Sequence, residues 1–265
     1  TNMTLQATTK ISIIGAGMNK TFIHGDNKNF FTKILSGWET IIIANMTINN
    51  MSTNYVSNRV ISTQSPISVE DSCNVIIDGV NFTAGHGYSG GAINNRGNLK
   101  INNSYFFNCG DSNQGGAIYN VGYLTIDNSK FVLNHAKYYG TIYNTGTLIF
   151  VNSEIQDSLR VNGWTGNYAI IGGSGNVTLD SSKFWISGKN PIDLIGKGST
   201  WADMPAVSMT IGGGEYVTIN NCIFDGYNQS SYKLAAIGAG SSLGVDTPKH
   251  LTVNNSIFLN VIYVL

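Results

Sequence analysis

Leu124-Thr-Ile-Asp-Asn-Ser-Lys-Phe131 is the stretch of sequence that decides the fold, because the chain repeats it along its whole length. Close copies begin at residues 99, 148, 177, 217 and 251, and looser ones begin at 11, 41 and 75. Successive copies start 30, 34, 24, 25, 24, 29, 40 and 34 residues apart. A repeat with a minimum length of 24 residues indicates one structural unit that is stacked on itself, with the extra residues inserted in loops.

A second motif precedes three of these copies. It reads Gly90-Gly-Ala-Ile-Asn-Asn95, Gly115-Gly-Ala-Ile-Tyr-Asn120 and Gly140-Thr-Ile-Tyr-Asn144, and each time a glycine follows two residues later. Apolar residues alternate with polar ones on both sides of this Asn-x-Gly sequence, which is typical of short strands joined by a turn. One unit is therefore predicted to contain a short strand, an Asn-x-Gly turn, a second strand, an Asn-Ser turn and a third strand that ends in phenylalanine.

Two all-β arrangements are compatible with such a unit. Asn-Gly turns often mark β-hairpins, so an up-and-down β protein is one alternative. An exact repeat of three strands instead favours parallel stacking, which places like side chains over one another and lets asparagine amides form ladders. Asparagine also tolerates the left-handed conformation that tight corners need. We therefore predict a parallel β-helix of about nine coils that forms a single domain over residues 1–265, each coil rising ~4.8 Å.

Composition and charge argue against several classes of partner. Lys+Arg and Asp+Glu number 15 each, the net charge is +0, and only 11% of the residues are charged. Without a basic tract, binding to nucleic acid or to an anionic membrane surface is not expected. No apolar run approaches the ~20 residues that span a bilayer, so we expect no membrane insertion.

The three cysteines are predicted to be buried apolar residues. Cys73, Cys109 and Cys222 form an odd number at wide spacing, whereas a disulfide framework favours an even count and zinc sites favour close pairs. One disulfide with one free thiol is the alternative.

The repeat resembles that of a known family. Gly-Gly-Ala-Ile at 90–93 and 115–118, with Phe131-Val-Leu-Asn134, is similar to the repeat of the polymorphic outer-membrane proteins, and most similar to the adhesin-like surface proteins of methanogenic archaea. Residues 115–134 are a near-complete example, and the resemblance is strong over about 85–155. It implies a right-handed parallel β-helix, an extracellular location on the cell surface, and adhesion to another cell or to a glycan. It implies no catalytic residues.

The chain departs from this family pattern in three insertions, at 49–72, 156–168 and 185–205. It also lacks Gly-Gly-Ala-Ile after residue 140. A binding site cannot be transferred from the family, because loops carry function while the repeated coils carry the fold. The site has to be sought in the inserted loops themselves.

The loops 156–168 and 185–205 are predicted to leave the same corner on consecutive coils and to lie side by side. Amphipathic aromatic side chains beside polar groups on a rigid scaffold are typical of sugar-binding and protein-binding sites. The alternative is that the tryptophans pack a small satellite core against the coils. A poorer candidate is the 49–72 loop, with Tyr55 and Arg59. The predicted ligand-binding residues are Arg160, Trp164, Tyr168, Trp185, Asp193, Trp201 and Asp203.

An enzyme on the same scaffold is the alternative function. Gly85-His86-Gly87 resembles a short motif of polygalacturonases, and hydrolysis of a glycosidic bond uses two carboxylates ~5–9.5 Å apart. Asp78, Asp127 and Asp180 share the fourth position of the unit, but an intervening coil would separate each pair by ~10 Å. We therefore predict these three as solvated corner residues and predict no catalytic residue.

A lyase could use calcium, and Glu70, Asp71 and Asp193 could contribute to such a site. These residues do not form a recognisable cage of oxygen ligands. No cofactor and no metal site are therefore expected, and calcium is left open.

The sequence thus favours a non-catalytic, monomeric segment of a longer cell-surface adhesin that binds a glycan or a surface protein of another cell. A polysaccharide-degrading lyase or hydrolase, and a purely structural stalk, are the alternatives. An enzyme would present a carboxylate pair or metal cluster on one face, whereas an adhesin would present exposed aromatic residues.

Overall fold

In the computed structural model, the described part of the chain contains β-strands and turns but no helix. Twenty-six strands form two long parallel sheets and one small antiparallel pair. The structure describes residues 3–7, 9–25, 31–51, 55–56, 59–60, 65–110, 113–136, 141–158, 169–187, 210–211, 214–225 and 248–259.

The first sheet, called sheet A, has eight strands, and every neighbouring pair is parallel. Its strands β10 and β13 begin at the isoleucine of the two Gly-Gly-Ala-Ile segments. In spatial order its strands are β1 (Met3–Ala7), β4 (Thr32–Gly37), β8 (Ile67–Val69), β10 (Ile93–Asn95), β13 (Ile118–Asn120), β16 (Ile142–Asn144), β19 (Ala169–Gly172) and β22 (Thr210–Ile211).

The second sheet, called sheet B, has sixteen strands arranged in two parallel rows. Row 1 contains β2 (Ile11–Ile14), β5 (Thr40–Asn49), β9 (Asn74–Thr83), β11 (Asn98–Asn102), β14 (Tyr123–Asp127), β17 (Thr147–Val151), β20 (Asn176–Asp180), β23 (Tyr216–Asn220) and β25 (His250–Asn254). Row 2 contains β3 (Phe22–His24), the second halves of β5 and β9, β12 (Tyr105–Phe107), β15 (Lys130–Val132), β18 (Glu154–Ser158), β21 (Lys183–Ser187), β24 (Ile223–Asp225) and β26 (Ile257–Leu259). The ten-residue strands β5 and β9 belong to both rows and join them.

Like residues of successive units pair directly across these rows. Leu99 pairs with Leu124, and Leu124 with Leu148, in row 1. Phe106 pairs with Phe131 in row 2. All nine predicted copies, including the loosest at residue 11, lie in the same register along row 1. The up-and-down alternative is therefore wrong for these two sheets; the one antiparallel pair among the described strands is β6 (Tyr55–Val56) with β7 (Arg59–Val60).

The predicted phenylalanine position lies in the core and forms a continuous ring stack. The Phe82, Phe106 and Phe131 rings are 4.7 and 4.4 Å apart and nearly parallel. Further along, Phe184 stacks on Phe224 at 4.9 Å. Burial of these rings removes apolar surface from water, and each unit that carries such a ring buries it only by having a neighbouring unit.

One unit lacks a phenylalanine in its third strand, and a phenylalanine from its own second strand takes that place in the ring stack. In residues 148–155 the third strand carries Ile155 where the units on either side carry phenylalanine, and the second strand carries Phe150 where Leu or Ile is usual. The Phe150 ring lies 5.9 Å from Phe131 and 5.4 Å from Phe184. The ring stack is therefore kept continuous by a residue from the neighbouring row.

Asparagine occupies the corner between row 1 and row 2, as predicted. Asn103, Asn128 and Asn152 have φ values of 48°, 45° and 48°, in the left-handed region that asparagine tolerates. The Asn128 Nδ2 donates to Asn103 Oδ1 at 2.7 Å, which confirms that part of the predicted ladder. Asn152 instead donates to Asp127 Oδ1 at 3.0 Å, so the ladder prediction is wrong there. The carboxylate is the stronger acceptor.

A second ladder is buried at the Asn-x-Gly turn. Asn95 Nδ2 donates to Asn120 Oδ1, and Asn120 Nδ2 donates to Asn144 Oδ1, both at 2.7 Å. The three side chains are at most 1% exposed, and every bond runs in the same direction. Asn95 Oδ1, at one end, has no hydrogen-bond partner in the described region, because Asn95 pairs with Val69 of the preceding unit.

The small residue after the corner asparagine points inward, as predicted. Ser104, Ser129, Ser153 and Ser182 are at most 5% exposed, and the backbone N–H of each of the first three donates to the hydroxyl of the next at 2.9–3.1 Å. The three cysteines are free and buried, which confirms that prediction.

Candidate functional site

Of the seven predicted ligand-binding residues, Trp185 is described by the structure. Its six companions lie outside the described residues: Arg160, Trp164, Tyr168, Asp193, Trp201 and Asp203. Strands β18 and β21, which lead into the two inserted loops, pair in register from Gln156↔Trp185 to Ser158↔Ser187. The first residues of both predicted loops, 156–158 and 185–187, are therefore paired strand rather than loop. The remainder of each loop lies outside the described residues, and its position beside the other loop stays a prediction. Tyr55 and Arg59 of the poorer candidate loop lie in the antiparallel pair β6–β7.

Trp185 is half-buried on the outer surface of row 2, and polar neighbours hold its ring in place. Its indole Nε1–H donates to Glu154 Oε1 on the adjacent strand. The Lys183 ammonium lies 5.2 Å from the ring centroid, within cation–π distance. The other oxygen of Glu154 forms an ion pair with Lys130 Nζ at 3.3 Å.

The same surface carries further aromatic side chains. Side chains alternate along a strand, so the residues on either side of each buried phenylalanine point outward. On β12 these are Tyr105 and Phe107, whose ring centroids are 6.3 Å apart and nearly parallel. We call the outward side chains of β12, β15, β18 and β21 the Trp185 face; its principal members are Tyr105, Phe107, Lys130, Glu154, Lys183 and Trp185.

A phenol is protonated at neutral pH, and the electrostatics of this face extend that state of Tyr105 to more alkaline pH. Burial raises the pKa of Tyr105, and the negative charge of Glu154 raises it further. At neutral pH the phenol is therefore a hydrogen-bond donor as well as an acceptor. A face with aromatic rings, a neutral hydroxyl, two ammonium groups and a carboxylate can both stack against a ligand and hydrogen-bond to it.

The outer surface of row 1 is different. Its central paired positions carry four threonines, three isoleucines, one serine and one lysine, and no aromatic residue: Ser12, Ile42, Ile76, Lys100, Thr125, Ile149, Thr178, Thr218 and Thr252. Sequence reasoning looked for a site in the insertions and missed Tyr105, Phe107, Lys130, Glu154 and Lys183. The signal that could have found them is the pair of positions on either side of the buried residue in each third strand. These positions vary from unit to unit, and on β12, β15, β18 and β21 they carry bulky or charged residues.

The repeated aspartates lie where the sequence predicts. Asp78 pairs with Asn102, which pairs with Asp127, so one strand separates these two carboxylates. Val151 separates Asp127 from Asp180 in the same way. Each aspartate accepts a hydrogen bond from a corner asparagine, and the bond from Asn221, with a second from Ser181, lowers the pKa of Asp180. The three aspartates therefore lie at the corner between row 1 and row 2, where the sequence predicts them.

The other candidates for chemistry also have structural partners. Glu70 forms an ion pair with Lys33 at 3.2 Å. His86 of the Gly-His-Gly sequence lies in a backbone stack, in which its N–H donates to Met51 O at 2.8 Å and the residue bridges to Gly110. Asp193, the third acidic candidate, lies outside the described residues. Across the described ranges, no group of three or more His, Cys, Asp or Glu side chains is placed to hold a metal ion.

Within the described segments, no helix has the length and apolarity to cross a membrane. The chain matches no family model, and no curated protein or solved structure matches it at a significant level.

Proposed function

We propose that this chain is a segment of a cell-surface adhesin, wound as a right-handed parallel β-helix of about nine coils, that binds a carbohydrate of another cell at the Trp185 face. The order of pairing supports the coil. From β10 to β24, each unit adds one described strand to sheet A, one to row 1 and one to row 2, and the next of these units pairs in parallel with all three. Crossovers between parallel strands of one sheet are right-handed in about 98% of cases.

The observation that carries the binding proposal is the pre-organised tryptophan. An indole held by Glu154 and Lys183 loses little conformational freedom when a ligand arrives. Sugar rings offer apolar C–H faces and hydroxyl edges, which match an aromatic surface bordered by hydrogen-bonding groups. The Trp185 face combines these two features on four strands that pair in series.

The test compares Trp185→Ala with the matched control Trp38→Ala. Trp38 is 76% exposed and lies outside the Trp185 face, so its loss should leave binding unchanged. On a glycan array and in whole-cell binding, Trp185→Ala is expected to lose at least tenfold in affinity, while its thermal midpoint stays within a few degrees of the wild type. A large drop in the midpoint, or unchanged binding, would contradict the proposal.

The same assay separates the alternatives. Periodate treatment of the target cells destroys vicinal diols, so it should abolish binding to a glycan and spare binding to a protein. A polysaccharide depolymerase screen run in parallel would detect the enzyme alternative. A stalk would bind neither native nor treated cells, and would release no sugar.

A further inference from the structure

We propose that the outer surface of sheet A holds a second carbohydrate site, which selects chains containing carboxylated sugars. The inference rests on the proposal that the chain binds carbohydrate, but it uses different residues on a different sheet. The site is a cleft of about 240 Å³, whose lining includes Lys33, Glu70, Tyr88, Asn94 and Arg96.

One side of this cleft is formed by side chains at equivalent positions of neighbouring parallel strands. Lys33 pairs with Ser68, and Ser68 with Asn94, on the parallel strands β4, β8 and β10, so these side chains form one outward column. Val69 pairs with Asn95, so the next residues, Glu70 and Arg96, occupy equivalent turn positions of consecutive units.

The remaining side of the cleft comes from the segment before β10, which contains Tyr88 and Ser89. Hydrogen bonds to the backbone hold this segment. The Asn113 N–H donates to Tyr88 O at 2.8 Å, and the Ser65 hydroxyl donates to Ser89 O at 2.6 Å. The cleft is therefore formed by ordered backbone on both sides.

The charges in the cleft leave one cation available. Lys33 Nζ and Glu70 Oε1 are 3.2 Å apart and neutralise each other. The exposed Arg96 forms no ion pair with any described residue, and Asp71, the acid next to Glu70, is not among the residues that line the cleft. A guanidinium presents a planar fork that fits a carboxylate through two parallel hydrogen bonds. Arg96 therefore predicts a ligand with carboxylate groups.

Beyond the cleft, two aromatic side chains continue the same outward column of sheet A. The column of Lys33, Ser68 and Asn94 continues in register to Tyr119 and Tyr143, whose rings are 5.1 Å apart with an interplanar angle of 25°. Four steps of ~4.8 Å give this column a length of ~19 Å. Such a strip fits a linear oligosaccharide, with a carboxylate at Arg96 and other sugars along the edges and hydroxyls of the stacked tyrosine rings.

The test is calorimetric titration of the full chain with oligogalacturonate and with the same oligosaccharide after chemical reduction of its carboxyl groups. We expect binding of the acidic form, weaker binding at high salt, and at least tenfold weaker binding of the reduced form. Arg96→Gln should lose at least tenfold in affinity for the acidic form and little for the reduced form. Lys100→Gln, which removes an exposed cation from β11, is the matched control and should bind as the wild type does.

Three results would overturn the inference: no binding of the acidic form by the wild type, equal binding of the two forms, or equal losses in Arg96→Gln and Lys100→Gln. Thermal unfolding of both variants checks that the fold is intact, which we expect because Arg96 and Lys100 are exposed. Trp185→Ala is titrated in the same series. If it has no effect on the glycan array while Arg96→Gln loses oligogalacturonate, the Trp185 face fails and the sheet A site stands.

Discussion

At the scale of single residues, the buried small polar and sulfur-bearing side chains each contribute to hydrogen bonding or packing in the core. The cysteines illustrate this. Cys109 is fully buried, and burial raises the pKa of its thiol to about 12. Cys73 and Cys222 are shifted in the same direction by the same cause. Thiols with raised pKa values are poor nucleophiles, so these residues serve packing.

The Cys109 pKa makes stability depend on alkaline pH. Below pH 9, the ordinary value for a thiol, the folded and unfolded chains both bind the proton and stability is unaffected. Between pH 9 and about 12 the unfolded chain releases the proton while the folded chain keeps it, so stability falls as pH rises. At pH 10.5 we expect a loss of ~2 kcal/mol from this thiol alone.

Urea unfolding at several pH values between 8 and 11 measures this effect. Cys109→Ala should start from a lower stability at pH 8, because a buried atom is lost, and should then decline less steeply than the wild type. The comparison removes the contributions of Cys73, Cys222 and Tyr105, which are present in both proteins. Parallel curves would show that Cys109 does not titrate as described.

At the scale of the strand, the repeat fixes which positions are buried, while the neighbouring units decide which side chain fills them. Ile155 lies in register between Phe131 and Phe184, where a third ring would continue the stack. Phe150 supplies that ring from the adjacent row. The two positions therefore share one volume of the core.

Exchange of these two residues tests the shared volume. Phe150→Ile removes the ring and should cost ~1–3 kcal/mol, and Ile155→Phe alone should overpack the core at a similar cost. The double variant restores the usual pattern of the unit and should be within ~1 kcal/mol of the wild type, so the coupling energy should exceed ~1 kcal/mol. Denaturant unfolding of the four proteins gives this value directly, and additive effects would contradict a shared volume.

Much of the strand arrangement could be predicted from the sequence, because each unit pairs with its own near-copy. The register of Leu124, the core position of Phe131 and the amide ladder through Asn120 follow from that rule. The choice of Asp127 as acceptor for Asn152 could not, since it depends on competition between two nearby oxygens. The Trp185–Glu154 contact was also missed, because it depends on rotamers rather than on periodicity.

At the scale of the whole molecule, stability is expected to be a sum of unit and neighbour terms, as in other repeat proteins. The sheet A cleft belongs to this scale and was not predicted. Its lining residues are separated by tens of residues in the sequence, from Lys33 to Arg96, and belong to different units. No single motif contains them.

Removal of one unit tests the additive description. Deletion of residues 99–123 joins Asn98 to Leu124, and because Leu124 is the in-register partner of Leu99, the columns stay continuous. We expect a folded protein with strand-type circular dichroism and a moderately lower thermal midpoint. Deletion of residues 99–110 removes about half a unit and should abolish cooperative unfolding, since like residues no longer coincide. Similar behaviour of the two deletions would contradict the additive description.

The buried amide ladder has a consequence for how such a chain can lengthen over evolutionary time. Each rung brings one donor for the neighbour ahead and one acceptor for the neighbour behind, as Asn120 does between Asn95 and Asn144. A tandem duplication of the coding segment therefore inserts one more asparagine that both donates to one neighbour and accepts from the other. The added asparagine leaves no additional amide group in the interior without a hydrogen bond. Duplication of a unit then keeps every hydrogen bond of the buried amide ladder, and selection can act on the outward positions alone.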